Sequence, residues 1–116
     1  MQGFTPITTP VNRLQIVNIA TGSGPVVTTN STVTANYVGA LANTGVIFDA
    51  SAIHGGPQTF SLSGVIEGWK LGLSGMKVGG TRELIIPSGL GYGTHGSASI
   101  PPNSALVFVV NVVKLN

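Results

Sequence analysis

The sequence predicts an α+β domain in which an antiparallel sheet of five or six strands carries one short helix across one face. Two observations lead there. One stretch, Val65 to Met76 (VIEGWKLGLSGM), repeats with helical period: Ile66, Trp69, Leu73 and Met76 fall at offsets of three, seven and ten, while Glu67, Lys70 and Ser74 lie largely elsewhere. The other apolar segments are short, rich in β-branched residues and bounded by Gly, Pro, Asn or Ser, which is the punctuation of strands and turns. A sheet of this kind must cover its apolar side, and the Val65 to Met76 helix is the element available to do it.

Taken in order, Leu14 to Ala20 reads as a first strand, stopped by Thr21-Gly22-Ser23-Gly24-Pro25. Thr32 to Ala42 is a second, with Val33, Ala35 and Tyr37 on one face, and Asn43-Thr44-Gly45 turns it into Val46 to Ala50 as a hairpin. Ser51 to Pro57 is too broken for a strand and reads as a bulge or loop. Thr59 to Leu62 then leads into the helix. Val78-Gly79-Gly80 is a turn, and Thr81 to Ile86 alternates with Arg82, Leu84 and Ile86 on one side before Pro87, which cannot donate to a ladder. Ser88 to Asn103 is a loop long enough to be functional. Ala105 to Leu115 is apolar on both faces apart from Asn111, the pattern of a central strand. The connections are expected to be mostly hairpins.

At 116 residues the chain fits one domain with one core. Residues 1–11 are expected to be a flexible N-terminal segment and 12–116 the folded domain. Charged residues make up 7% against about 25% in typical domains, and the bases Arg13, Lys70, Lys77, Arg82 and Lys114 never form a run, which excludes a nucleic-acid partner. No segment reaches the roughly 20 apolar residues of a membrane span. Sparse charge with many Thr, Ser and Asn residues favours an extracytoplasmic setting, periplasmic or secreted, over the cytoplasm.

Acid–base and nucleophilic chemistry are poorly supplied. Cysteine is absent, Asp49, Glu67 and Glu83 are the carboxylates, and His54 and His95 are the imidazoles. No HExxH, GxSxG or GKS/T spacing occurs, so no metal, acyl-transfer or phosphate site is indicated. What remains is an aromatic and aliphatic set: Tyr37, Phe48, Phe60, Val65, Ile66, Trp69, Tyr92, Ile100 and Phe108, with Asp49 among them. Trp69 suits either a pocket floor, where its N–H faces a polar edge, or an ordinary core position.

The segments NYVGAL (Asn36 to Leu41), VIFDAS (Val46 to Ser51), VIEGWKLGLSGMKVGG (Val65 to Gly80), IIPSGLGYG (Ile85 to Gly93) and IPPNSALVFVV (Ile100 to Val110) resemble, in order and spacing, the FKBP-type peptidyl-prolyl cis-trans isomerases. The resemblance covers residues 12–116. It implies a half-open, twisted sheet, a half-barrel wrapped on one short helix, and an enzyme that accelerates rotation of X-Pro peptide bonds during protein folding without a cofactor. It matches Trp69 to the floor of a proline pocket and Tyr37, Phe48 and Phe108 to its aromatic walls. Asp49 matches the pocket's one acid, and Tyr92 a phenol that donates to a substrate carbonyl. Val65 and Ile66 match the lip that meets the substrate backbone, with Phe60, Ile100 and His54 counted beside them on the substrate side. The implied partners are proline-containing peptides, unfolded protein clients and macrolides of the tacrolimus and rapamycin type.

The chain also departs from the family pattern. Gln58 stands where many relatives have a second Phe, the link from Phe60 to Val65 is shorter, the Tyr92 loop is slightly short, and Ser99 replaces an aliphatic residue. His54 replaces an arginine that commonly follows the pocket aspartate. A histidine gives the same ionic hold on Asp49 only while protonated; the other reading of His54 is a solvated loop residue beside Gly55 and Gly56. These departures feed an alternative function, a weakly active or inactive peptide-holding or chaperone domain of a larger protein.

Overall fold

The computed structural model describes residues 4–97 and 99–116. Six strands, β1 (Gln15–Ala20), β2 (Thr32–Leu41), β3 (Ile47–Ala50), β4 (Gln58–Ser61), β5 (Thr81–Ile86) and β6 (Leu106–Leu115), form one antiparallel sheet in the order β1-β5-β6-β2-β3, with β4 also paired to β2. The helix α1 (Glu67–Leu73) lies in the concavity of this sheet. Its Trp69 meets rings from β2, β4 and β6, and its Gly68 and Gly72 approach Ile86 and Leu84 of β5. The sheet therefore half-encloses the helix, as expected. β6 is central, between β5 and β2, and its one polar interior residue is satisfied: Asn111 Nδ2 donates to the Gly80 carbonyl at 3.0 Å and to Thr81 Oγ1 at 3.2 Å.

Two expectations are corrected. The connections are not mostly hairpins: β2 and β3 form the short one, while β1 pairs with β5 and β6 with β2 across long stretches of chain. The helix is also shorter than its apolar repeat. Ile66 is the N-cap in an extended conformation, and Ser74 is extended again with Gly75 left-handed beyond it. Met76 is buried like Trp69 and Leu73, yet it reaches the core from a turn, where its carbonyl accepts from Val27 N–H at 2.8 Å. Side-chain periodicity recorded what faces the core and could not see where the backbone leaves the helix.

The C-terminal end of α1 is held by the sheet. The Arg82 guanidinium, on the same side of β5 as Leu84 and Ile86, donates from one nitrogen to the carbonyls of Gly72 and Ser74 at 2.9 and 3.0 Å, and from Nε to Asn18 Oδ1 of β1 at 2.8 Å. A cation at a helix C-terminus also meets the negative end of the helix dipole. Burial lowers the pKa of this guanidinium below its ordinary value.

Ser51 to Pro57 holds a 3₁₀ turn, Ser51–His54, which separates β3 from β4 on the same edge of β2. The ladder is broken there, and the Ser51 hydroxyl takes the place of a strand by accepting from Tyr37 N–H at 3.0 Å. Part of the N-terminal segment expected to be flexible lies outside the described residues. Within it, Phe4 N–H donates to Gly45 at 2.9 Å and Ile7 N–H to Ala42 at 2.7 Å, along the β2–β3 turn.

Close approach of α1 to β5 depends on its glycines. A Cβ on Gly72 would lie 2.6 Å from Leu84 Cδ2, and Leu84 is fully buried. Gly72→Ala gains about 1 kcal/mol of helix propensity, but overpacking a closed core costs about 1–3 kcal/mol. The expected outcome in denaturant unfolding is a net loss of stability; a variant more stable than the parent would show that the helix can move off the sheet.

Candidate active site

A cavity of about 300 Å³ opens beside the N-terminal end of α1, lined by Tyr37, Phe48, Asp49, Phe60, Gly64, Val65, Ile66, Trp69, Tyr92 and Phe108. Trp69 is 4% exposed and lies at its base. Three rings stand edge-on to the indole: Tyr37 at 5.5 Å between centroids, Phe60 at 5.1 Å and Phe108 at 5.4 Å. Phe48 meets Phe108 edge-on in turn at 5.6 Å. Edge-to-face pairs set the negative face of one ring against the positive edge of the next, each worth about 0.5–1.5 kcal/mol beyond the area buried. The cluster holds its rings in fixed orientation.

Backbone irregularities put these side chains on one surface. Consecutive strand residues point to opposite faces, yet Phe48 and Asp49 both line the cavity. The β2–β3 register explains this: Asp49 pairs with Gly39 and Ile47 with Ala40, so Phe48 is an extra residue in a bulge, a device that re-aims side chains. Gly39 leaves room for the pair of rings, since a Cβ there would lie 2.5 Å from Phe108 and 3.0 Å from Phe48.

Asp49 is the one carboxylate lining the cavity, and its oxygens are occupied. Tyr37 Oη donates to Oδ2 at 2.8 Å; Ala50 N–H donates to Oδ1 at 2.9 Å, and His54 Nε2 lies 2.8 Å from that same Oδ1. Burial pushes the Asp49 carboxyl upward, but the hydrogen bonds from Tyr37, His54 and Ala50 and the attraction of His54 outweigh it, leaving the group below the usual carboxylate range. Tyr37 is driven well above the ordinary phenol range by burial first and then by its bond to Asp49 and the nearby charge. Tyr92 is raised by burial and by Asp49. Both phenols stay protonated near neutrality, and the carboxylate stays ionised.

Eight of the ten lining residues, together with Asp49, belong to the set singled out in the sequence: Tyr37, Phe48, Phe60, Val65, Ile66, Trp69, Tyr92 and Phe108. Phe60 is a full partner of Trp69 and Tyr37. His54 does not line the cavity and reaches it through Asp49. Ile100 is absent from the lining: it is 5% exposed within the core cluster, tied to Ser97 by reciprocal backbone bonds at 2.9 and 3.1 Å. Gln58 folds back on its own loop, donating to the Gly56 carbonyl at 2.9 Å, and Ser99 is exposed. Sequence reasoning missed Gly64 in the lining and the supporting Gly39 and Ser51. The small residues beside aromatic strand positions were the available signal.

The profile of the family described as FKBP-type peptidyl-prolyl cis-trans isomerase matches residues 24–113. The chain is 46% identical over 108 residues to an FK506-binding protein of Streptomyces anulatus, covering 90% of this chain and 87% of that one. It is 42% identical to the peptidyl-prolyl cis-trans isomerase Mip of Coxiella burnetii, over 94% of this chain and 47% of Mip. The crystal structure of FkpA from Escherichia coli superposes with a TM-score of 0.84 at 42% identity, over 89% of this chain and 48% of that one. This chain thus spans about half the length of Mip and 36% of the full length of FkpA.

Asp49 is held below its ordinary pKa by donors, so it stabilises the fold above the ordinary carboxylate value, and that contribution is lost as pH falls through the folded one. Tyr37→Phe removes one donor to the ionised form. An NMR titration of the Asp49 carboxyl should show its pKa rising toward the ordinary value; an unchanged titration would mean that the Tyr37 bond does not hold the carboxylate.

Proposed function

The chain belongs to the FKBP-type peptidyl-prolyl cis-trans isomerases, and from that premise we propose that residues 12–116 form its isomerase domain and that the aromatic cavity is the seat of catalysis. The observation that carries this reading is the combination of a ring-walled cavity with a single charged lining group whose oxygens are already engaged internally. Among the described residues the one charged group lining the site is already hydrogen-bonded at both oxygens, and bond rotation needs no acid or base.

The barrier to rotation about a peptide bond, about 18–20 kcal/mol, comes from amide resonance, which puts partial negative charge on oxygen and double-bond character on C–N. The twisted transition state has lost that resonance and is less polar at the carbonyl. A dry apolar cavity strips water from the planar amide and disfavours it relative to the twisted form. The prolyl ring sits on Trp69, walled by Tyr37, Phe48 and Phe108, with Phe60 closing the side toward β4. The Tyr92 hydroxyl and the backbone at Val65 and Ile66 hold the chain on either side of the bond, which leaves rotation as the free coordinate. Lowering the barrier by about 7 kcal/mol gives about five decades of rate. The cis–trans equilibrium itself is unchanged.

The substrates under this reading are proline-containing segments of unfolded proteins. The name of the Streptomyces anulatus relative says that that protein binds FK506; the same apolar cavity supports macrolides of the tacrolimus and rapamycin type as competing ligands here.

The test is catalysed exchange of a Phe-Pro or Leu-Pro peptide by a protease-free fluorescence or NMR assay. The parent accelerates it. Tyr92→Phe keeps the fold and loses about two- to tenfold in kcat/KM, since one hydrogen bond to a neutral carbonyl is worth about 0.5–1.5 kcal/mol. Complete loss of turnover in a folded Tyr92→Phe variant would mean that the phenol performs chemistry, and the desolvation mechanism would be wrong.

A further inference from the structure

The ion pair His54–Asp49 is the only one among the described residues, and it sits at the rim of the cavity. Both side chains are open to solvent, 48% for His54 and 36% for Asp49, so protons and ligand alike reach them. The 3₁₀ turn that carries His54 packs on β2 and β3, whose titratable side chains are Tyr37 and Asp49 alone. The loop after β5 adds Tyr92, which feels the Asp49 charge, and the exposed His95, which is not paired with Asp49. β4 adds no titratable group, and the nearest polar neighbour there, Gln58, donates to the His54 carbonyl at 3.3 Å. With Tyr37 and Tyr92 protonated and Asp49 ionised, His54 is the imidazole in contact with Asp49, and its protonation decides the net charge of the pair.

We propose that His54 sets which charged residues next to proline the cavity accepts, by cancelling the charge of Asp49 when protonated and exposing it when neutral. This rests on the cavity being the substrate site. The geometry needs no movement. An imidazole keeps an N–H to donate to a carboxylate in either state, so deprotonation removes a charge without breaking the 2.8 Å contact. With the imidazole protonated, the pair is neutral overall. With the imidazole neutral, the pair carries one net negative charge and favours a cationic over an anionic residue beside proline. An arginine in the place of His54 would keep the pair neutral at every pH, so the substitution of histidine makes the preference titratable.

The experiment compares kcat/KM for two peptides that differ only in Glu or Lys immediately before proline, at pH 5.5 and 8.0 and fixed ionic strength, by NMR exchange. For the parent, the Glu-to-Lys ratio should fall about two- to fivefold as pH rises, the size expected of a solvent-screened charge. His54→Gln, which keeps a donor without charge, should hold the low ratio at both pH values. His54→Arg should hold the high ratio at both. A parent ratio independent of pH, or a His54→Gln ratio that moves as the parent's does, overturns the proposal, the second outcome transferring the effect to His95. Absence of turnover on both peptides at both pH values instead overturns the assignment of the cavity, and this proposal with it.

Discussion

The edge-to-face contacts of Trp69 are the interaction on which the rest of this molecule depends. The indole is nearly sealed at 4% exposure, yet it forms the base of the cavity, so one side chain closes the core and opens the site. Its ring partners stand at positions 37, 60 and 108, on three different strands. Phe60 precedes Trp69 by nine residues, and Tyr37 and Phe108 are each more than thirty residues away. The cavity therefore exists only when β2, β4 and β6 have closed around α1, and anything that loosens this closure removes the site along with the fold. Gly68 and Gly72 serve the same closure from an adjoining face of the helix by letting it press on Ile86 and Leu84.

The polar side of the site comes from a place where regular structure fails. A continuous edge strand would carry β3 straight into β4 along β2. The chain instead inserts the bulge at Phe48 and the 3₁₀ turn Ser51–His54, and the ladder groups left over are met by the Ser51 hydroxyl. The interruption turns Asp49 into the cavity and brings His54 against it. With Oδ2 engaged by Tyr37 and Oδ1 by Ala50 and His54, the carboxylate organises the wall of the cavity. Catalysis by environment suits this arrangement better than catalysis by proton transfer.

How much of this was legible follows from what side-chain patterns record. Thr81–Ile86 matches the expected strand residue for residue, because Gly79-Gly80 and Pro87 bound it chemically. The apolar repeat overstates the length of the helix because Met76 is buried for a reason unrelated to helical period. The aromatic set of the cavity was legible through family resemblance, yet resemblance carries residue identity better than depth: Ile100 lies in the core, and His54 acts one contact away from the cavity. The bulge at Phe48 left no trace in a pattern of alternation, since two adjacent residues on one surface look like an error in the period. Gly39 and Ser51 show in the sequence only as small residues near aromatic strand positions, because their roles are to leave space and to replace a missing ladder bond.

The most direct measurement uses the fact that Trp69 is the only tryptophan. A Phe-Pro peptide titrated into the protein should change the tryptophan emission saturably, with a midpoint equal to the binding constant from calorimetry, and the matching Phe-Ala peptide should leave the emission unchanged. Calorimetric binding of the prolyl peptide with no change in emission would place the proline away from Trp69 and contradict the account.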